Sequence, residues 1–153
     1  MKIQGSYTYI YNLFGDFFSK IKEHQIPKKF TINFLNDLGY KSNNHRDFIS
    51  LLKNLGFLTR NGCPTLRYYR FQSDTNPGKI MSEAIIECYT EIFLIRPKPA
   101  LKDKTIIESV LKNYHNLSDL CARLLVDTFY SLLDLSDINS YENNLPEREG
   151  LTA

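Results

Sequence analysis

At 153 residues, 42% of them hydrophobic and 13% aromatic, the chain can bury one core, or two small domains sharing one, and its 24% charged content excludes a disordered composition. The net charge of +2 hides an asymmetry: residues 1–72 hold 11 Lys and Arg against 4 Asp and Glu, while residues 73–153 hold 8 against 13. A basic front half suits a polyanion, and no apolar run reaches the ~18 residues that would span a bilayer.

The start, MKIQGSYTYIYNLFGDFF, carries one early Lys and no clean apolar stretch before a small-residue site, so it does not read as a signal peptide. Phe14, Phe17, Phe18 and Ile21 then recur at helical spacing, which places a first helix within 9–25. Its start belongs near Gly15, with Asp16 facing the positive end of the dipole, and Ile26 and Pro27 end it. A second helix is expected over 28–38, with Phe30, Phe34, Leu35 and Leu38 inward and Gly39 as the left-handed residue after it. A polar turn at 40–43 leads to a third helix over 44–54, capped by Asn43 or Asn44, with Phe48, Ile49, Leu52 and Leu55 inward and Gly56 at its end.

A β-hairpin is expected next. Residues 57–59 form one strand, Asn61 and Gly62 the turn, and residues 66–71 the return strand. Asn76 and Pro77 then open a wide-faced helix over 77–95 that Pro97 and Pro99 terminate. Thr105 and Glu108 have capping-box spacing at the head of a helix over 105–114, in which Ile106, Val110 and Leu111 pack inward. Ser118 starts a last helix over 118–135. The fold class is therefore mainly α with one small β-hairpin, a winged helix-turn-helix followed by a C-terminal helical subdomain. Residues 1–72 form the basic winged half, residues 73–138 an acidic helical half packed on it, and residues 139–153 a polar, disordered tail.

One block carries a family resemblance. Pro27, Lys29, Phe30, Thr31, Phe34 and Leu35 are followed by Leu38, Gly39, Tyr40, Lys41, Ser42 and Asn43, then by Arg46, Phe48, Ile49, Leu52, Lys53, Leu55, Gly56, Phe57 and Leu58. Gly62, Pro64, Thr65, Tyr68, Phe71, Ala84, Ile85, Tyr89, Phe93, Thr128, Phe129 and Leu132 continue the pattern. In this order they resemble a bacterial and archaeal family, domain of unknown function 5343, over most of residues 9–136. The resemblance implies a stand-alone domain and passes on no catalytic residues. The chain departs from the expected pattern at Tyr40, where Phe is expected, and at Asn44 and His45, where Asn and Asp are expected. The second change makes the mouth of the third helix less acidic and favours an anionic partner.

Arg46, Ser50, Lys53 and Asn54 share the surface opposite the apolar stripe of the third helix. Arg can read guanine and Asn adenine, while Lys mostly meets phosphate; Asp47 beside Arg46 favours the plainer reading, a solvated face. Arg60, Arg67 and Arg70 flank the expected hairpin, where they would grip a neighbouring groove or decorate an edge strand. Lys28 and Lys29 open the second helix and add phosphate contacts. Cys63, Cys88 and Cys121 are odd in number and widely spaced, as reduced cytosolic thiols are. Glu83, Glu87 and Glu91 repeat every four residues as an exposed acidic stripe, and no nucleophile elbow, phosphate loop or metal-ligand pair occurs.

The sequence thus points to a cytoplasmic, non-enzymatic winged-helix DNA-binding protein, a regulator or accessory of a mobile-element or defence locus. It would need no cofactor or metal and would bind double-stranded DNA. The alternative is a protein-interaction module using the acidic helix 77–95 against a basic partner. Leu124, Phe129, Leu132 and Leu133 either cover a homodimer interface or complete the monomer core.

Overall fold

The computed structural model describes residues 1–138; the expected disordered tail lies outside them. Helix α1 (Phe14–Glu23) buries Phe14, Phe17, Phe18 and Ile21, the row read from their spacing. A single 3-10 turn (Tyr11–Leu13) precedes it. Phe17 lies flat on Phe48 of α3 (Asp47–Asn54), with centroids 3.9 Å apart and planes within 5°. Tyr40 closes edge-on against both rings at 5.6 and 5.1 Å. Its hydroxyl donates to Asp16, and Lys20 sits 4.6 Å over its ring. The Tyr at position 40 is thus tied to α1 by a bond that Phe cannot make.

Helix α2 (Ile32–Asp37) is shorter than 28–38 because Thr31 caps it, accepting from the Phe34 N–H at 3.1 Å. Gly39 follows at φ 103°. The cap of the next segment is Ser42 rather than Asn43 or Asn44: its hydroxyl accepts from the Asn44 N–H, and the Ser42 N–H donates to His45 Nδ1 at 3.1 Å. One 3-10 turn (Asn43–Arg46) therefore leads into α3.

The expected β-hairpin is absent, and with it the winged helix-turn-helix. The described residues contain eight α-helices and no strand. Only an isolated antiparallel bridge joins Leu58 to Pro64, supported by Thr59 N–H to Cys63 O at 2.8 Å and Thr65 N–H to Phe57 O at 2.9 Å. The Asn61 and Gly62 turn does form, with Gly62 at φ 87°. The return strand is instead helix α4 (Leu66–Ser73). Its buried residues, Tyr68 and Phe71, are three apart, and Leu66 is 75% exposed. A period of three to four suits a helix and not a pleat. The run contains aromatic residues but no β-branched one, so its strand propensity was borrowed from Tyr and Phe alone.

The expected helix over 77–95 is two, α5 (Pro77–Cys88) and α6 (Thr90–Ile95), divided at Tyr89 (φ −113°, ψ 40°). Tyr89 is fully buried and donates its hydroxyl to Ser6 O at 2.7 Å. Asn76 does not cap α5; its amide donates to Asp137 at 3.0 Å. Helix α7 (Lys104–His115) begins after a 3-10 turn (Leu101–Asp103) whose Asp103 accepts from the Ala100 N–H, so Thr105 and Glu108 form no capping box. Ile107 and Leu111 are its buried residues, and Ile106 and Val110 face outward. Helix α8 (Asp119–Leu133) is capped by Ser118 and lies at the centre of the rear half. One continuous apolar cluster runs from Phe14 to Ile138, and the buried Thr8–Thr128 bonds join the chain's start to α8.

Tyr68 is the exception to a satisfied core: its hydroxyl is buried with no hydrogen-bond partner among the described residues. Burial pushes its ionisation well above the ordinary tyrosine range. Removing an orphaned polar atom while keeping the ring relieves a desolvation cost of about 1 kcal/mol or more. Tyr68→Phe should therefore leave the urea midpoint unchanged or raise it. A fall equivalent to about 1 kcal/mol would mean that the hydroxyl has a partner.

Candidate nucleic-acid interface

The helix–turn–helix order of α2 and α3 presents one set of exposed side chains. Arg46 stands in the turn before α3, and Ser50 and Lys53 follow on its outer face. Asp47 makes no ion pair with Arg46; its carboxylate accepts a 2.8 Å bond from the Thr8 hydroxyl. Neither Arg46 nor Lys53 has a carboxylate in ion-pairing range among the described residues. Asn54, however, is removed from this surface. Its amide donates to Gln4 O at 2.9 Å and lies against Gly5, where a Cβ would come within 2.9 Å of its nitrogen. Asn54 fastens the N-terminal segment instead of facing a ligand.

The segment carrying Lys28 and Lys29 lies beside the turn that follows Arg60. The Phe30 N–H donates to Gly62 O at 2.8 Å, which lays the segment before α2 against the turn that follows Arg60. The stem of Lys29 passes so close to Gly62 that a Cβ there would lie 3.9 Å from it and 3.3 Å from Phe30 O. All three cations are exposed and have no carboxylate partner among the described residues. Lys28 and Lys29 stand before the Thr31 cap, outside α2, so they do not open that helix.

Arg67 and Arg70 are turned the other way. As residues of a helix they project together towards α5, not outward from a wing. Arg67 donates to Leu55 O at 2.7 Å and to Glu87 at 2.6 Å, and Arg70 donates to Glu83 at 3.1 Å. The first bond supplies a partner for a carbonyl left over at the end of α3. Gly56 is needed beside it: at φ 79° it favours glycine, and a Cβ would come within 2.5 Å of the guanidinium.

Glu91, the third member of the acidic row, accepts from His115 Nε2 at 2.5 Å and from the Met1 ammonium at 3.3 Å. Burial pushes its carboxyl up, but the bonds from His115 and Met1 outweigh this and hold it below the usual range. Among the described residues no three His, Cys, Asp or Glu side chains gather as metal ligands would. Burial pushes the Cys88 thiol up to about 12, which leaves it protonated and unreactive at neutral pH. Lys41, in the turn between α2 and α3, is a further exposed cation near the candidate surface in sequence. It was readable only as a turn residue, because a lysine in a turn carries no signal of direction.

A family model described as a family of unknown function, DUF5343, matches residues 6–143. No curated protein and no solved structure matches the chain. No helix among the described residues is long and apolar enough to cross a membrane.

Two stability measurements separate the inward from the outward cations. Arg67→Ala leaves the Leu55 carbonyl without its donor and should cost about 1–2 kcal/mol; most of this belongs to that bond, since Glu87 is exposed and screened. Arg46→Ala should change stability by less than about 0.5 kcal/mol. Equal effects in urea unfolding would contradict this division. For Glu91, a carboxyl depressed in the folded chain adds stability above its unfolded value of about 4.3, and that stability is lost as pH falls through the folded value. Glu91→Gln should thus narrow the gap between urea midpoints at about pH 6 and about pH 3.

Proposed function

The chain belongs to the family of unknown function DUF5343, and from that premise we propose that it is a non-enzymatic helical domain that binds double-stranded DNA through Lys28, Lys29, Arg46, Lys53 and Arg60. One observation carries the reading. These five exposed cations of the basic half have no carboxylate partner among the described residues, whereas Arg67 and Arg70 are engaged by Glu87 and Glu83. Charge left uncompensated around a helix–turn–helix is what a phosphate backbone attracts.

Arg46 and Ser50 offer hydrogen-bonding groups to base edges, and the lysines and Arg60 hold phosphate. Asn54 has no part in it. A role as regulator or accessory of a mobile-element or defence locus fits such binding. The protein-docking alternative on the acidic face of α5 and α6 is less favoured, because Glu83, Glu87 and Glu91 already have Arg70, Arg67 and His115 as partners.

Fluorescence anisotropy with a labelled duplex tests the reading. With up to four phosphate contacts, log affinity should fall against log salt with a slope of up to about −3.6. Arg46→Glu combined with Lys53→Glu should abolish binding while the far-ultraviolet dichroism stays helical. A folded double variant that binds as tightly as the parent removes this surface, and a parent that retains no duplex at low salt removes the function.

A further inference from the structure

Arg46, Ser50 and Asn54 are spaced by four and form one row along α3. Arg46 keeps right-handed helical backbone, φ −61° and ψ −20°, so the row runs unbroken into the turn before the helix. It spans about 12 Å. Arg46 and Ser50 are exposed, but the third member is spent: the Asn54 amide donates to Gln4 O at 2.9 Å. What stands at that end of the row is the turn that Asn54 holds.

This turn is tightly specified. The Ser6 N–H donates to Ile3 O at 3.0 Å, and Gly5 lies at φ 83°, the left-handed conformation such a turn needs at its third position. A Cβ on Gly5 would also come within 2.9 Å of the Asn54 amide nitrogen. Beyond the turn, the Tyr89 hydroxyl donates to Ser6 O at 2.7 Å. The Thr8 hydroxyl then meets Asp47 at 2.8 Å. Residues 4–8 therefore pass along α3 against its direction, with Thr8 at its start and Gln4 at its end. The segment leaves two polar side chains exposed, Lys2 and Gln4.

We propose that this turn belongs to the DNA-binding surface, with the Gln4 amide meeting a base edge and Lys2 a phosphate. The inference rests on the duplex-binding reading above. Gln carries a donor and an acceptor side by side, the pair that the major-groove edge of adenine requires. Lys2 has no carboxylate partner among the described residues, and the first acidic residue of the sequence is Asp16. The Met1 ammonium is taken by Glu91 at 3.3 Å, so its charge is compensated while that of Lys2 is not. Asn54 touches no DNA; it is a positioning residue, an amide that carries another amide to the end of its own row.

Fluorescence anisotropy of the full chain tests this, with a labelled duplex that the parent selects from a randomised pool. Lys2 adds a phosphate contact to those of Lys28, Lys29, Lys53 and Arg60, so Lys2→Gln should make the salt slope shallower than the parent's by about 0.9. Gln4→Ala keeps the carbonyl that Asn54 uses and should weaken binding about fivefold or more. In an Asn54→Ala background the same change should cost less, because the turn is already free; a purely structural Asn54 would leave the two losses equal. Acetylation with and without duplex gives a direct readout: Lys2 should be protected, while the exposed Lys98 and Lys102 of the rear half stay reactive. A parent that binds, with its slope unchanged by Lys2→Gln or its affinity unchanged by Gln4→Ala, overturns this inference and leaves the α3 surface standing. A parent that retains no duplex at low salt overturns both.

Discussion

The flat stack of Phe17 on Phe48 is the contact on which the front of the molecule turns. It fixes α1 against α3 at 3.9 Å between ring centroids. Phe14, Phe18, Phe30 and Tyr40 then close around the pair edge-on or tilted, the arrangement that ring quadrupoles prefer. Such a cluster buries large rigid side chains at little rotameric cost. It also sets direction: with Phe48, Leu51 and Leu52 held inward, Arg46, Ser50 and Lys53 have only solvent to face. The candidate surface is therefore a consequence of packing on the reverse side of the same helix. Tyr40 extends the constraint, because its hydroxyl donates to Asp16, which also pairs with Lys20. Those two partners, Tyr40 first, hold the Asp16 carboxyl below its ordinary range.

Charge asymmetry along the chain turns out to have two destinations. Part of it joins the halves: Arg67 and Arg70 come from the basic segment, Glu87 and Glu83 from the acidic one, and together they bridge α4 to α5. These exposed pairs add modest stability, yet they fix which face of α4 meets α5. Another part supports backbone: Lys22 donates to the carbonyls of Phe71, Gln72 and Asp74, where α4 ends. What remains outward is Lys2, Lys28, Lys29, Lys41, Arg46, Lys53 and Arg60. A sum of formal charges over residues 1–72 counts all of these groups alike and so overstates the field available to a ligand.

Helices with a strong apolar row were legible from the sequence. The row of α1 and the start of the last helix at Ser118 were where the sequence placed them; in α3, Phe48, Leu52 and Leu55 were, but Leu51 is buried where Ile49 was expected and Ile49 is half-buried. The 66–73 segment was not, because Leu66, Tyr68 and the flanking turn satisfied a two-residue alternation as well as a helical one. Burial of Tyr68 with Phe71 resolves that ambiguity, and burial is a tertiary property. The same limit governs the site. Arg46, Lys53 and Arg60 could be placed outward from local pattern, whereas the inward turn of Arg67 depends on Leu55 and Glu87, distant in sequence. Asn54 was misplaced for the same reason, since its partner is Gln4, at a separation of 50 residues.

Helix α7 shows how a small angular error moves a surface. Ile106, Ile107, Val110 and Leu111 are all apolar, and a reading that takes Ile106, Val110 and Leu111 as the inward row differs by one residue from the observed pair Ile107 and Leu111. One residue is about 100° of rotation on an α-helix. Burial of Ile107 and Leu111 sets the angle, and the ion pairs agree with it. Lys104 reaches Asp127 and Lys112 reaches Asp119, so the Lys104–Lys112 row faces α8. With Ile107 and Leu111 in the core beside that row, Ile106, Val110 and Tyr114 have no choice but to point away. The exposed stripe is thus set chiefly by the burial of Ile107 and Leu111, and the two lysine pairs on the other side of the helix leave its outer face apolar and free of charge.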